Sequence, residues 1–364
     1  MNKLPFIALC LCLMTPLSAW AQATWDIDGT THFAYIGSLH SHTAYSDGQG
    51  TPEEAYAFAR DVAGMDFWGL SDHVFGPPGT PRTITHDNWA LLREAAEAAN
   101  DPGHFIAFWG YEWTTTGEHM VVWNEPELCE STNINDLMAL ALREGRQVNI
   151  SHLWEHLNPV FWHERHPIYR PDWDSVVTLV DVFPVPGYRD VYQELINQGY
   201  RVGAWAGQDN HGGDWGLAGG FTGWGVAWAE ELTRDSLESA FRMARTYATR
   251  DRDLTLRFSL AGMPMGSERL MSVSSPLTAH VEVELPQGAS PINYIEVMRN
   301  GVQLWAFEHS QATFTVDLPI GTVDLGRNAY YIRLWRSGES LPTAVSSPVW
   351  ISGHAAISNG SIPR

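Results

Sequence analysis

Two histidines and an aspartate lie within eight positions of one another near the start of the chain. His40, His42 and Asp47 follow the apolar run 33–39, in the segment GSLHSHTAYSDGQG. In an extended His-x-His segment both side chains point to the same side, so both rings can reach one ion. Imidazole and carboxylate are ligands that suit Zn²⁺, Mn²⁺ and Fe²⁺. The spacing therefore indicates the first part of a metal site.

Further histidines and carboxylates recur beside later apolar runs. They are His73 after 67–70, Glu112 after 105–109, His119 before 121–123, His152 after 148–150, and Asp209 and His211 after 202–206. In an α/β fold, the carboxyl ends of parallel strands converge on one face. We therefore expect all these donors to meet in space and to form one metal cluster with the first three. Asp72, beside His73, is interpreted as a turn carboxylate or as a partner that orients a ligand ring.

The donors require a scaffold of strands, and the first two thirds of the chain predict one. Up to about residue 257, short apolar runs alternate with amphipathic runs that carry helix caps, such as Thr51-Pro52-Glu53-Glu54. The remaining strands are predicted at 176–183 and 225–229, and the helices at 55–62, 87–99, 134–144, 189–198 and 234–245. Most of the strands lack polar alternation, as parallel strands buried on both faces do. This alternation is typical of a (β/α) barrel or an open doubly wound sheet.

From about residue 260 the apolar pattern changes to a period of two. Strands are predicted at 278–285, 294–299, 302–307, 312–318, 329–336 and 348–352. Asn300-Gly301 is a strong hairpin signal between two of them. We therefore expect a small antiparallel β-sandwich of the immunoglobulin-like kind over residues 259–354, after a first domain over residues 24–258.

Composition limits the possible functions. Residues 1–21 have the pattern of a cleaved signal peptide, so we expect a secreted or periplasmic protein without a later membrane span. Removal of this segment would leave Cys129 as the single cysteine and would remove Lys3, the only lysine. These counts argue against disulfides, Schiff-base chemistry and a phosphate-loop lysine. The formal net charge of −20 argues against a nucleic-acid partner.

The segment 154–173 is rich in aromatic residues and is too irregular for a helix. We interpret it as a loop that packs on the surface or forms a substrate wall over the cleft, where an arginine would meet an anionic group. The candidate substrate contacts are Trp154, His156, Arg165, His166 and Arg170.

Taken in order, these motifs resemble the PHP (polymerase and histidinol phosphatase) superfamily of metal-dependent hydrolases. The matching segments are LHSHTAYSDG, GLSDH, GYEW with GEHMVVW, NISHLWEH and GQDNHGG, over about residues 33–258. The resemblance implies a distorted seven-stranded (β/α) barrel with two or three divalent ions and a metal-bridging hydroxide as nucleophile. The segment ARTYATRDRDLTLRFSLAGMPMG and the trailing sandwich look most like a secreted branch that includes carbaryl-type carbamate hydrolases.

The resemblance also implies which residue holds which ion. His40, His42, Glu112 and Asp209 would bind the first ion, and Glu112 would bridge to a second ion held by His119 and His152. A third ion would be bound by Asp47, His73 and His211.

Two classes of function remain open on the sequence. The first is a metal-dependent hydrolase of a small-molecule ester, with a phosphoester favoured and a carbamate, carboxylic ester or amide as the alternative. The second is a noncatalytic metal-containing module that binds carbohydrate or the cell envelope. Structural zinc sites are usually closed four-ligand sets, which argues against the second class. The oligomeric state is not predicted.

Overall fold

The computed structural model describes residues 22–74, 83–115, 118–153, 170–183, 191–217 and 223–355. It has a mixed α/β architecture with one large mixed sheet, a smaller sheet and few helices. The predicted signal peptide and the candidate contacts Trp154, His156, Arg165 and His166 lie outside the described residues. Within the described ranges, no helix combines the length and apolarity that crossing a membrane requires.

The first part of the chain alternates strands and helices. Its elements are β1 (Thr24–Ile27), β2 (Thr30–Ser38), α1 (Pro52–Asp61), β3 (Phe67–Leu70), α2 (His86–Ala99), β4 (Ile106–Thr114), β5 (Glu118–Trp123), α3 (Ile134–Glu144), β6 (Val148–Leu153), a 3₁₀ turn (Trp173–Ser175), β7 (Val177–Asp181), α4 (Val191–Gln198), β8 (Gly203–Trp205), β9 (Trp224–Ala229), α5 (Arg234–Arg242) and β10 (Thr246–Thr249). The predicted alternation is confirmed, although β1 and β10 were not predicted.

Local sequence explains where the helices begin and end. Thr51 caps α1 by accepting a hydrogen bond from the Glu54 amide, and the Glu54 carboxylate accepts one from the Thr51 amide. This reciprocal pair satisfies two amides that the first helical turn leaves without partners. At the C-terminal end of α3, Gly145 adopts a left-handed conformation with φ of 65°, which ends the helix.

The rest of the chain is all strand. Its elements are β11 (Thr255–Leu260), β12 (Met263–Pro264), β13 (Glu268–Ser272), β14 (Pro276–Glu284), β15 (Ile292–Arg299), β16 (Val302–Gln311), β17 (Phe314–Thr322), β18 (Gly326–Trp335), β19 (Ala344–Ser346) and β20 (Val349–His354). The predicted hairpin is confirmed, because Arg299 pairs with Val302 and both Asn300 and Gly301 have positive φ. The predicted domain boundary after residue 258 falls inside β11, and the division into domains stays a prediction.

The large sheet follows the path β13-β20-β18-β19-β10-β9-β2-β3-β4-β5-β6-β7-β8, with β1, β15 and β16 beside it. The expectation of parallel neighbours holds for β2-β3, β3-β4, β6-β7 and β7-β8. It is wrong for β4-β5, β5-β6 and β2-β9, which are antiparallel. Between β4 and β5 the chain makes a direct hairpin, and a connection of three residues cannot return the chain to a parallel start.

Strands at the centre of this sheet are buried on both faces. In β3, Phe67 packs with Phe108 and Trp205 in one cluster, whereas its neighbour Trp68 belongs to the cluster that packs under the helices. The smaller sheet, β12-β11-β14-β17, shares a third cluster with β15, β18 and β20, including Val281 from the small sheet. Apolar contact on both faces explains why the period-two pattern is absent from the first strands and present in the later ones.

Candidate metal centre

Backbone pairing beyond the end of β2 brings the His-x-His segment beside residues 209–211. Ser41 and Asn210 form a parallel β-bridge. The His42 amide donates to the Asn210 carbonyl at 2.9 Å, and the Asp209 amide donates to the His40 carbonyl at 3.1 Å. Side chains far apart in the sequence are therefore held at fixed positions by the main chain.

A second bridge joins the end of β3 to β4. His73 pairs with Glu112, whose amide donates to the Ser71 carbonyl at 3.0 Å. The expectation that Glu112 follows its strand is wrong, since β4 continues to Thr114 and contains it. The glutamate still lies at the same edge, because the shorter strand β3 ends beside it.

His119 reaches this edge by a different route. It lies near the start of β5, and the β4-β5 hairpin pairs it with Thr114. An antiparallel strand begins where its neighbour ends, so His119 lies near Glu112 although it precedes rather than follows its apolar run. The backbone of His152 pairs with His119 across β5 and β6, and the side chain of His152 lies outside the described residues.

Four of the donors form a first compact set: His40, His42, Glu112 and Asp209. One ligand atom from each lies within 4.8 Å of the others. The Nε2 atom of His40 is 3.4 Å from Glu112 Oε1 and 3.2 Å from Asp209 Oδ1. The Nε2 atom of His42 is 2.9 Å from Asp209 Oδ1 and 3.4 Å from Glu112 Oε2.

A second set overlaps the first at His42 and adds Asp47, His73 and His211. Its ligand atoms also lie within 4.8 Å of one another. Asp47 Oδ1 is 3.2 Å from His211 Nε2 and 3.5 Å from His73 Nε2. The rings of His42 and His211 stack with their centroids 4.1 Å apart. Glu112 closes the arrangement, because its carboxylate also lies 2.6 Å from His119 Nδ1.

The pKa of each group in the cluster depends on burial and on the charges of its neighbours. Burial favours the protonated form of Glu112, but the surrounding imidazole rings outweigh it and hold the pKa of Glu112 well below its usual value. Burial lowers the pKa of His40, but the carboxylates beside it outweigh burial and raise that pKa well above its ordinary value. Burial and the charges of neighbouring rings lower the pKa of His42. Burial also disfavours the charged form of His211, but its hydrogen bond to Asp47 outweighs burial, and the pKa of His211 is raised to about 9.

Asp72 supports the cluster through hydrogen bonds to a loop, and within the described ranges it accepts none from an imidazole ring. Its carboxylate accepts hydrogen bonds from the Thr43 amide and hydroxyl at 2.9 and 2.8 Å and from Ser46 Oγ at 2.6 Å. Ser46 Oγ in turn lies 3.4 Å from His42 Nδ1. Asp72 therefore anchors the loop that carries the first donors. The role of Ser46 was not predicted, since a lone serine gives no signal in the sequence.

The centre meets the chemical requirements of divalent ions. Its donors are all imidazole nitrogens and carboxylate oxygens, and two overlapping sets would place ions close together. The remaining described candidate, Arg170, pairs with Asp172 and lies over the Trp173 ring in an exposed ion pair. The nine predicted ligands stay predictions as ligands, although the structure brings eight of their side chains together.

Comparison with known proteins gives distant likenesses. Residues 74–160 match the family described as a protein of unknown function, DUF3604. An uncharacterised protein of Chlamydia pneumoniae is 22% identical over 364 residues, covering 86% of this chain and 57% of that protein. An uncharacterised protein of Chlamydia muridarum is 28% identical over 133 residues, covering 33% of this chain and 21% of that protein. The chain thus spans little more than half of the first relative and a fifth of the second.

Among solved structures, the chain is similar to a two-domain Bacteroides vulgatus protein described as containing a predicted PHP-like metal-dependent phosphoesterase. The TM-score is 0.48 with 14% identity, and the match covers 90% of this chain and 98% of that one. Fibronectin(III)-like modules from Clostridium thermocellum match 27% of this chain and 99% of their own, with a TM-score of 0.20 and 10% identity.

Proposed function

We propose that this protein is an exported metal-dependent hydrolase of the PHP type that cleaves phosphoesters. The proposal includes a barrel of seven strands, β2 to β8, followed by a β-sandwich. Closure of the barrel is supported by the bonds that join residues 209 and 210, after β8, to residues 40 and 42, after β2. A location in the periplasm or the medium rests on the apparent signal peptide alone.

One observation carries the proposal: two four-donor sets, made only of histidine and carboxylate, share His42. By the ligand arrangement that the resemblance implies, one ion would be held by His40, His42, Glu112 and Asp209, and another by Asp47, His73 and His211. His119 and His152 would hold a further ion with Glu112. When bound, neighbouring divalent ions lower the pKa of a coordinated water to about neutrality and stabilise charge on the attacked ester.

The residues of the chain contribute position and access. His40, His42 and Glu112 are fully buried, whereas the side chains of Asp47 and His211 are 28% and 36% exposed. The substrate is therefore expected to approach on the side of Asp47 and His211. The buried side keeps water away from the contact between Glu112 and the imidazole rings, which strengthens their electrostatic interaction.

A phosphoester is the favoured substrate, because adjacent ions suit displacement at phosphorus by clamping both the attacking and the leaving oxygen. Carbamate or carboxylic ester hydrolysis uses the same centre, and the aromatic segment that suggested it lies outside the described residues. A noncatalytic role would require the ions to be structural. Structural sites are usually closed, whereas the exposed side chains of Asp47 and His211 leave one side of the second set open.

The test is a comparison of metal content and hydrolysis in the wild-type chain, His42→Ala and His86→Ala. His86 is an exposed histidine paired with Glu130 and serves as the matched control. We expect the wild type to hold two or three ions and to hydrolyse p-nitrophenyl phosphate or its diester. His42→Ala should lose metal and at least about 100-fold in kcat/KM, more than the loss for an outer partner of a ligand.

Three outcomes would contradict this proposal in different ways. Turnover of aryl carbamates alone would replace the phosphoester by the alternative substrate. Full metal content without turnover of any substrate would favour the noncatalytic module. Unchanged metal content in His42→Ala would show that the shared histidine is not a ligand, and the centre would be wrongly assigned.

A further inference from the structure

Thr114, the last residue of β4, contacts the ring of His73, one of the proposed ligands, at the nitrogen opposite to the one that faces Asp47. Its side chain is fully buried, and its Oγ1 atom lies 2.8 Å from His73 Nδ1. The same nitrogen is 2.8 Å from Glu112 Oε2. The opposite ring nitrogen, Nε2, lies 3.5 Å from Asp47 Oδ1. The Nδ1 atom of His73 therefore contacts two oxygen atoms, and its Nε2 atom faces Asp47 of the second donor set.

This arrangement selects one tautomer of His73. A neutral imidazole carries its proton on one nitrogen, and only the other nitrogen can bind a metal. The carboxylate of Glu112 accepts but does not donate, so the contacts at Nδ1 favour a proton there. Nε2 is then free of hydrogen and faces Asp47. The outer hydrogen-bond partner of a ligand histidine commonly fixes its tautomer and ring orientation in this way.

Glu112 favours this tautomer in the metal-free site but cannot hold it alone once an ion is bound, because it also borders His40, His42 and His119. Its oxygens are the proposed ligands of the first set, and an oxygen bound to an ion is a weaker acceptor for His73. The hydroxyl of Thr114 is not a proposed ligand, and in the described part of the chain its hydrogen bond is to His73.

We propose that Thr114 is a positioning residue that holds His73 as its Nδ1–H tautomer and so supports ion binding by Asp47, His73 and His211. This inference rests on the proposed metal centre. It assigns a function to a residue that does not itself bind metal and that carries no motif. The hydroxyl group, rather than the size of the side chain, is what the inference requires.

Three substitutions separate the hydroxyl from packing. Thr114→Val keeps the shape and removes the hydroxyl, whereas Thr114→Ser keeps the hydroxyl. The matched control is Thr178→Val in β7, because Thr178 is also buried and its Oγ1 has no hydrogen-bond partner among the described residues. Each full-length variant is stripped of metal and titrated with Zn²⁺ by calorimetry, and the bound ions are counted by elemental analysis. The tautomer of His73 is read from its ¹⁵N shifts in the zinc-loaded protein.

We expect Thr114→Val to lose about 10–100-fold in affinity for one ion while the other ions bind normally. Thr114→Ser should stay within about threefold of the wild type on the same scale, and Thr178→Val should match the wild type. If Thr114→Val does not fold, Thr114→Ala takes its place with the same expectations.

Unchanged zinc affinity in the variant without the hydroxyl, with His73 still protonated at Nδ1, would overturn the inference and leave the metal centre intact. A loss that Thr114→Ser shares equally would mean that packing, not the hydroxyl, is responsible, and this too would overturn it. Wild-type protein that binds no zinc would refute the proposed function, and the inference with it.

Discussion

Two buried glutamates near the β4-β5 hairpin should respond in opposite ways to the same substitution. Glu112 lies in β4 among four imidazole rings, the nearest being those of His119 at 2.6 Å and His73 at 2.8 Å. Glu125 follows β5, is equally buried, and receives no hydrogen bond from a described side chain. The rings hold the pKa of Glu112 well below its usual value, whereas burial raises the pKa of Glu125 to about 7.

The signs follow from linkage between protonation and folding. The pKa of Glu112 is lower in the folded state, so its contribution to stability is present above about pH 4.5 and is lost as the pH falls. Removing one member of a buried charge pair costs about 3–5 kcal/mol. We therefore expect Glu112→Gln to lower the free energy of unfolding of the metal-free protein by about 3 kcal/mol at pH 7 and by little at low pH.

For Glu125 the folded pKa is higher than the unfolded one, so its contribution is present below about pH 4.5 and is lost as the pH rises through 7. The difference between 4.5 and about 7 corresponds to at most about 3 kcal/mol. Glu125→Gln should therefore be near neutral at pH 4 and more stable than the wild type above pH 8.

The assay is urea unfolding of the wild type and both variants in EDTA, followed by tryptophan fluorescence between pH 4 and 9. Subtracting the free energy of unfolding of the wild type at each pH cancels the titration of the groups that all three proteins share. If the two variants gave curves of the same sign at pH 8, the opposite electrostatic environments assigned to Glu112 and Glu125 would be wrong. Equal zinc contents in Glu112→Gln and the wild type would contradict its place in the centre.

Two further predictions concern the loop and the ions. Asp72→Asn should weaken zinc binding by about 10–100-fold in calorimetry, because the loop that carries His42 loses charge-assisted hydrogen bonds through Thr43 and Ser46; an unchanged affinity would show that the loop is held by other contacts. Chelation should lower the free energy of unfolding, by about 2.7 kcal/mol for each independent ion present at 100 times its dissociation constant. An identical urea midpoint with and without EDTA would mean that the folded centre does not bind metal.

The sequence predicts the fold best where local chemistry decides it. The Thr51 cap, the end of α3 at Gly145 and the Asn300-Gly301 hairpin depend on neighbouring residues, and all three are present. Strand direction depends on connections between elements, and there the expectation of parallel neighbours failed on both sides of β5 and between β2 and β9. The strands β1, β10, β11, β12, β13 and β19 were missed, and most are short or lie at junctions where neither period is sustained.

Donor types were readable from the sequence, but their orientations were not. Asp209 has φ of 47°, a left-handed conformation that is uncommon for a residue other than glycine. No local sequence pattern signals this conformation. The backbone of Asp209 is held by a hydrogen bond from its amide to the His40 carbonyl, about 170 positions earlier in the chain. In the same way, the contact of Thr114 with His73 depends on how β3 and β4 pair.

The two backbone bridges explain why the centre can form without any local motif that contains all its donors. Ser41 pairs with Asn210, and His73 pairs with Glu112. Because side chains alternate along an extended chain, a shift of one residue in either pairing would turn the donors to the opposite face. The buried aromatic residues on both sides of the sheet, such as Phe67 and Trp68, resist that shift. The position of the donors is therefore set by the register of the strands, and the apolar core that fixes this register preorganises the proposed metal site.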